Sequence, residues 1–377
     1  MIDGSTCTSI ANLARRARRR LPGFVWDQID GAAGDGDGAA RNEEAFRSIL
    51  FRARRLAGPL RSTGVKLFGR TYAQPFGIAP LSRANEVWPG TDRAMAEVAA
   101  SRQVPLVLST GASSGLEEIV RIAGDMLWFQ LYMLGTRAAT ADLLGRARAA
   151  GIEVLVFTVD FTGEHRWNRD VSTGDSGRIP RTLRRLLDVA THPSWTMRRL
   201  LHGPVGRANV GRYEPEARRI FPAPSSDDGL TWEDVRFIRD LWKGKLVVKG
   251  LMHADDALQA VKQGADGVWI SNHGGRQLES LPATVTALPA IRAALGPGTP
   301  ILMDSGIRNG ESVLKALALG ADFAFAGRPF LYGAGAFGPR GVRQAFDILA
   351  SEVRIGLKQA GCPTPRDLDG RWIMPRD

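Results

Sequence analysis

Ser271-Asn272-His273-Gly274-Gly275-Arg276-Gln277-Leu278 follows the apolar run Gly267-Val268-Trp269-Ile270, and the reading of that junction decides the fold. A run this short and this apolar, bounded by turn-forming residues, reads as a buried strand. A histidine and an arginine three residues apart therefore leave its C-terminal end. An imidazole exchanges a proton near neutral pH, and a guanidinium grips a carboxylate through two parallel hydrogen bonds. The paired glycines allow a backbone to come close to a bound ligand. Taken alone, the same residues also suit an ordinary polar turn, so the rest of the chain has to separate the two readings.

From residue 75 onward, apolar runs alternate with helical stretches. Residues 76–79, 105–109, 127–131, 154–158, 246–249, 267–271, 301–304 and 323–327 each fit a parallel strand buried on both faces. Helical patterns at 93–101, 138–149, 232–242, 254–263, 283–295 and 310–319 lie between them, most ending at a glycine or proline. Eight such strands close a barrel. A doubly wound sheet is the alternative, but polar or special residues recur at the strand ends: Ser109, Gln130, Thr158 with Asp160, Lys249, Ser271 with His273, Asp304, and Gly327 with Arg328. A (β/α)8 barrel brings these to one face, whereas an open sheet spreads them along its edge. The fold class expected is thus α/β, a (β/α)8 TIM barrel with an N-terminal helical segment, forming one domain over residues 1–377. The rhythm fails once, after strand four. A long lid insertion is expected there, at about 161–230, with short helices at 181–189 and 195–201 and many arginines.

The ends of strands seven and eight carry Asp304-Ser305-Gly306-Ile307-Arg308 and Gly327-Arg328-Pro329. Glycine-freed backbone N–H groups beside guanidinium groups suit a phosphate, and strands seven and eight are where barrels commonly hold one. Lys249, at the end of a buried strand, needs an anionic partner.

The 271–278 string and these two clusters resemble the FMN-dependent 2-hydroxy-acid oxidases and dehydrogenases, the glycolate oxidase and mandelate dehydrogenase family, and the resemblance spans roughly residues 10 to 360. It implies FMN as cofactor. The residues it assigns to FMN are Ala79, Pro80, Leu81, Ser109, Gln130, Thr158, Lys249, Ser271, Asp304, Gly306, Arg308, Gly327 and Arg328. It implies that His273 is the base, that Asp160 orients it, and that Tyr132 faces the substrate, whose carboxylate sits on Arg276. The proton leaves carbon or oxygen, and the electrons go on to oxygen or another carrier; the residues do not choose.

Two positions depart from the family pattern. Trp26, in Gly23-Phe24-Val25-Trp26-Asp27, falls where the family places a substrate-binding tyrosine. Trp167 falls where a second arginine is expected, with Arg166 beside it. Both changes weaken the grip on a small acid and favour stacking, so a bulky, aromatic or peptide-derived substrate is expected in place of glycolate or lactate. Divergence to a peptide-derived or amino substrate is the enzymatic alternative. The family resemblance also suggests a homotetramer.

Among 377 residues, two cysteines, Cys7 and Cys362, show neither metal-ligand spacing nor a disulfide framework. No metal is expected, and a cytoplasmic protein is the default. The net charge of +11 comes from an arginine excess of the kind a GC-rich coding sequence also gives. It is joined by no zinc-finger or RNA-binding motif, so nucleic acid is not an expected partner. The rival non-enzymatic reading is a basic barrel that binds nucleic acid or a membrane surface. The arginine-rich segment from Ser9 to Arg20 reads as a solvated helix, with peripheral membrane contact as its alternative.

Overall fold

A strand inside a parallel sheet has a hydrogen-bonded neighbour on each edge and packed layers on both faces, so it is apolar throughout. The eight runs meet that condition. The computed structural model describes residues 7–161, 183–213 and 229–374. Three helices open the chain: α1 (Ile10–Arg20), α2 (Gly23–Asp30) and α3 (Asp37–Arg47). A hairpin of β1 (Val65–Leu67) and β2 (Arg70–Tyr72) follows. The barrel strands are then β3 (Phe76–Leu81), β4 (Leu106–Ser109), β5 (Leu127–Leu131), β6 (Val154–Thr158), β7 (Lys245–Leu251), β8 (Gly267–Ile270), β9 (Ile301–Met303) and β10 (Phe323–Ala326). All pair in parallel, and β10 hydrogen-bonds to β3 to close the ring. The parallel barrel replaces the open-sheet alternative.

The interior is filled with aromatic rings. Trp269 of β8 stacks on Phe325 of β10 at 4.1 Å between ring centres, and Trp128 of β5 lies 5.6 Å from the same ring. The hairpin, which the alternation of residues does not announce, closes the N-terminal end. Tyr72 packs on Phe323 and Trp128, and its hydroxyl accepts a hydrogen bond from the Trp128 indole at 3.1 Å. With that end plugged, access to the barrel is from the C-terminal ends of the strands.

Helix α1 is not a free basic helix. Ile10, Leu13 and Ala17 are buried on the helix Arg328–Phe337, where each large apolar side chain contributes on the order of 1.5 to 3 kcal/mol. Arg16 and Arg20 donate to the Ala336 carbonyl and lie over the Phe337 and Trp88 rings. These two arginines therefore act as packing groups with a charged tip. The apolar face proposed for membrane contact is spent on the barrel.

Within the expected insertion the described residues form two helices, Leu183–Ala190 and Pro193–His202, and a short turn at Gly211–Tyr213. The first two answer to the helices expected at 181–189 and 195–201. Trp195 is buried: its indole donates to the Glu86 carbonyl and its ring meets Phe24 of α2 edge-on at 5.7 Å. Asp188 accepts from the Gly23 backbone N–H at 2.8 Å. This part of the insertion is thereby fastened to α2. Arg166 and Trp167 lie outside the described residues.

Candidate active site

The stretch from Ser271 to Leu281, which carries His273 and Arg276, holds the N-terminal segment in place. Asn272 and Asn42 of α3 exchange paired amide hydrogen bonds at 2.9 Å, both fully buried. Glu279 accepts from the backbone N–H groups of Asp35, Gly36 and Asp37, satisfying donors that the first turn of α3 leaves open. Gly275, at φ +76°, is needed for this docking: an added Cβ would stand 2.4 Å from the Ala39 nitrogen. An added Cβ on Gly274 would meet the Arg328 guanidinium at 2.8 Å. The paired glycines thus make room for protein, where the sequence suggested room for a ligand.

His273 follows at φ +56°, a left-handed conformation that turns its ring back over the barrel mouth. Its Nδ1 lies 3.1 Å from both oxygens of Asp160, and its Nε2 lies 3.3 Å from the Tyr132 hydroxyl. Burial pushes the Asp160 carboxyl upward, but the charges of His273 and Lys249 and the hydrogen bond from His273 outweigh it, leaving its pKa below the ordinary carboxylate value. An ionised Asp160 holds the imidazole proton on Nδ1 and leaves the Nε2 lone pair toward the cavity. For Tyr132, burial first and the Asp160 charge second raise the pKa, so the phenol keeps its proton and can donate. Phe161, one residue past Asp160, packs on Tyr132 at 5.4 Å and lies 6.5 Å from the His273 ring. It forms an apolar wall that no polar motif announced.

These side chains open onto a cavity of about 500 Å³. Ala79, Pro80, Leu81, Lys249, Asp304, Gly306, Arg308, Gly327 and Arg328 line it, as do Tyr132, His273 and Arg276. Ser109, Gln130, Thr158 and Ser271 are buried behind that lining. Gln130 accepts from Ser109 and donates to Thr158, both at 3.0 Å, so this row across β4, β5 and β6 is satisfied by its own members. Lys249, 2 % exposed, donates to Ser271 at 2.9 Å and lies 3.4 Å from Asp304, which Ser271 also bonds at 2.6 Å. The anionic partner that a buried lysine needs is therefore Asp304.

Trp26 is not among the cavity residues. Successive helical residues are about 100° apart, so positions 26 and 28 of α2 face nearly opposite ways. Gln28 turns to the cavity while Trp26 stacks on Tyr332 at 5.5 Å. The Gln28 amide is held by Glu86 at 2.8 Å, and Glu86 also pairs with Arg83.

Arg276 and Arg328 meet at the C-terminal end of α2, where their guanidinium groups cap the last carbonyls. Arg276 donates to the carbonyls of Gln28 and Gly31; Arg328 donates to those of Ile29, Gly31 and Gly274. The free carbonyls of a helix C-terminus attract cations, which explains the meeting. Burial and then the neighbouring Arg308 lower the pKa of Arg328, against the opposing influence of Tyr332, Asp30 and Glu43.

The donor set fits FMN. Arg308, Arg328 and the N-terminus of the helix Arg328–Phe337 suit a phosphate dianion. Gly306 leaves no room for a side chain there, since an added Cβ would stand 2.7 Å from the Asn42 carbonyl. The backbone strip Ala79-Pro80-Leu81 and the Lys249 cation face the middle of the same cavity, and a flat ring with one anionic edge matches that pairing.

Residues 17–375 match the FMN-dependent dehydrogenase family. An L-lactate dehydrogenase of Stenotrophomonas maltophilia is 38 % identical over 359 residues, covering 93 % of this chain and 94 % of the relative. One of Chromohalobacter salexigens is 36 % identical, with coverage of 93 % and 91 %. Among solved structures, the monotopic membrane protein (S)-mandelate dehydrogenase superposes with a TM-score of 0.92 at 33 % identity, over 98 % of this chain and all of the other. A mandelate oxidase superposes with a TM-score of 0.84 at 34 % identity, over 98 % and 99 %. Sequence, fold and cavity agree, and the chain belongs to the FMN-dependent dehydrogenases, carrying FMN and oxidising the hydroxyl of a 2-hydroxy acid.

Proposed function

We propose that the substrate is a 2-hydroxy acid with an aromatic or similarly bulky apolar side chain, oxidised to its 2-keto acid with His273 as the base. The observation that carries this reading is the orientation of His273, with Nδ1 on Asp160 and Nε2 toward Tyr132 in the cavity that Arg276 also lines. Arg276 binds the substrate carboxylate, and Tyr132 donates to the substrate oxygen. His273 takes one of the two protons that leave the substrate, and Asp160 stabilises the imidazolium that results. FMN, when bound, accepts the electron pair. Phe161, Val87 and Leu331 in the cavity lining support a bulky side chain, as does the likeness to (S)-mandelate dehydrogenase and mandelate oxidase. The likeness to L-lactate dehydrogenases supports the competing small acid. Anaerobic titration separates them: (S)-mandelate is expected to bleach the bound flavin at concentrations at least about tenfold below those needed with L-lactate, as about 1.4 kcal/mol of extra apolar contact would give. Equal or better bleaching by L-lactate would exclude the bulky substrate. The chain is read as one barrel domain over residues 1–377, with the insertion at about 161–230 as part of it.

A second observation favours a peripheral seat on an anionic membrane surface at the cytoplasmic side. Leu183, Leu186, Leu187, Met197, Leu200 and Leu201, on the two fastened helices of the insertion, are each between 57 % and 74 % exposed. An apolar patch of that kind, rimmed by charge, marks an interaction surface. Arg185, Arg198 and Arg199 stand on the same helices. A groove of about 660 Å³ beside them is lined by Arg15, Arg16, Arg19, Arg20 and His192. Burial and then the charges of Arg16 and Arg198 lower the pKa of Arg20, so this groove is crowded with positive charge. Leucines entering the acyl boundary beside arginines at phosphate level is the arrangement of a monotopic anchor. No helix among the described residues is long and apolar enough to cross a membrane. The protein is expected to sediment with phosphatidylglycerol vesicles and far less with phosphatidylcholine, and Leu186→Ser with Leu200→Ser to release it. Binding that survives both substitutions would rule out this face.

A further inference from the structure

Resting on the 2-hydroxy-acid reading, the geometry points to Arg207 as the second guanidinium that grips the substrate carboxylate, a position the sequence did not single out. Arg276 has two of its nitrogens bound to the carbonyls of Gln28 and Gly31, so its position is fixed by a structural task as well as by the substrate. Arg207 lines the same cavity as His273, Tyr132 and Arg276, yet it comes from within the insertion.

That segment is firmly rooted, which is what lets a long side chain hold a ligand. Asn209, fully buried, accepts from the Leu116 N–H at 2.7 Å and donates to the carbonyls of Ser109 and Ser114. The Ala208 N–H donates to the Ala112 carbonyl at 3.1 Å, and the Arg207 carbonyl caps the turn through the N–H groups of Val210 and Gly211. The backbone immediately after Arg207 is thus tied to the loop beyond β4, beside the site. The side chain acts where the reaction occurs. Against burial and Asp160, which raise the Tyr132 pKa, the positive charges of Arg276 and Arg207 both pull it down, so both fields reach the hydroxyl that faces His273. Two cations that share the cavity with Tyr132 suit a carboxylate held beside the carbon being oxidised. A carboxylate gripped by two forks is also fixed in rotation, which presents one face of that carbon to His273.

The test uses FMN-loaded wild type, Arg207→Met and Arg207→Lys, with benzoylformate and its methyl ester as non-reacting probes followed by flavin absorbance and calorimetry. Losing one charge-assisted contact is expected to weaken benzoylformate about tenfold to a hundredfold in Arg207→Met, with ester binding within about twofold and partial recovery in Arg207→Lys. Anaerobic reduction by mandelate should show the same loss in apparent affinity, with a smaller change in the limiting rate. Unchanged benzoylformate binding in Arg207→Met would overturn the assignment, and so would equal weakening of acid and ester, the mark of a merely structural residue. Failure of the wild type to be reduced by any 2-hydroxy acid would instead overturn the reading of the reaction, while the contrast between acid and ester still judges Arg207.

Discussion

His273→Asn is expected to lower the rate of flavin reduction by about a hundredfold to ten-thousandfold while leaving the FMN content and the visible spectrum unchanged. The magnitude is that of removing a positioned general base. Asparagine is the informative replacement because position 273 has φ +56°, a conformation that asparagine tolerates better than most residues. The backbone N–H of residue 273 donates to Ser271, and that of Gly274 to Ser305, so both anchors survive any change of side chain. Asp160 loses the imidazole but keeps the charge of Lys249 acting on it, which limits the cost of the vacated partner. The end of the cavity proposed for the FMN phosphate, lined by Gly306, Arg308, Gly327 and Arg328, is left intact. Stopped-flow reduction under anaerobic conditions is the direct measurement. A rate within about threefold of wild type would remove His273 from proton transfer, because loss of a general base is expected to cost at least about a hundredfold. Loss of bound FMN would give it a structural role.

The residues of the expected site that the structure brings together share one property: each stands at or just past the end of an apolar run. A period-free run of four to six apolar residues marks a parallel strand, and a barrel gathers all strand ends at one mouth. The positions of His273, Asp160, Tyr132, Lys249 and Asp304 relative to those runs are therefore enough to group them at one mouth. Where the structure sets a residue elsewhere, the cause is different. Trp26 was set against the substrate because it stands in the right segment, but the helical turn decides which residue of that segment faces inward, and Gln28 does. Gly274 and Gly275 were read as space for a ligand; they are space for Arg328 and for α3. The arginines of α1 looked like a solvated or lipid-facing surface. Arg16 and Arg20 lie flat on aromatic rings, and identity alone does not separate those uses. Arg207 and Phe161 carried no local signal. One reaches the cavity from a segment about 100 residues past β4, the strand whose following loop it packs on. The other is an aromatic residue among many.

Asp160→Asn is expected to slow flavin reduction by roughly a thousandfold to ten-thousandfold with substrate affinity altered far less, on the scale seen when the carboxylate of a catalytic triad is neutralised. Two effects combine. An asparagine amide donates to Nδ1, which moves the imidazole proton to Nε2 and blocks the lone pair that faces the substrate. Even a correctly oriented ring would then become an imidazolium in a buried site with no counter-charge beside it. A longer carboxylate would not serve, because Asp160 packs so closely on Gly250 that a Cβ there would stand 2.5 Å from its own Cβ. The pH dependence follows from the direction of the Asp160 shift. Burial raises its pKa, but His273 and Lys249 bring it below the ordinary carboxylate value, so the ion is present above that value and lost only as the pH falls through the depressed one. An acid limb near neutrality in the wild-type rate profile therefore belongs to another group, and Asp160→Asn should lower the plateau without abolishing such a limb. Reduction by Asp160→Asn within about tenfold of the wild-type rate at neutral pH would mean that the ring needs no carboxylate to act, since the triad comparison sets the expected loss far higher.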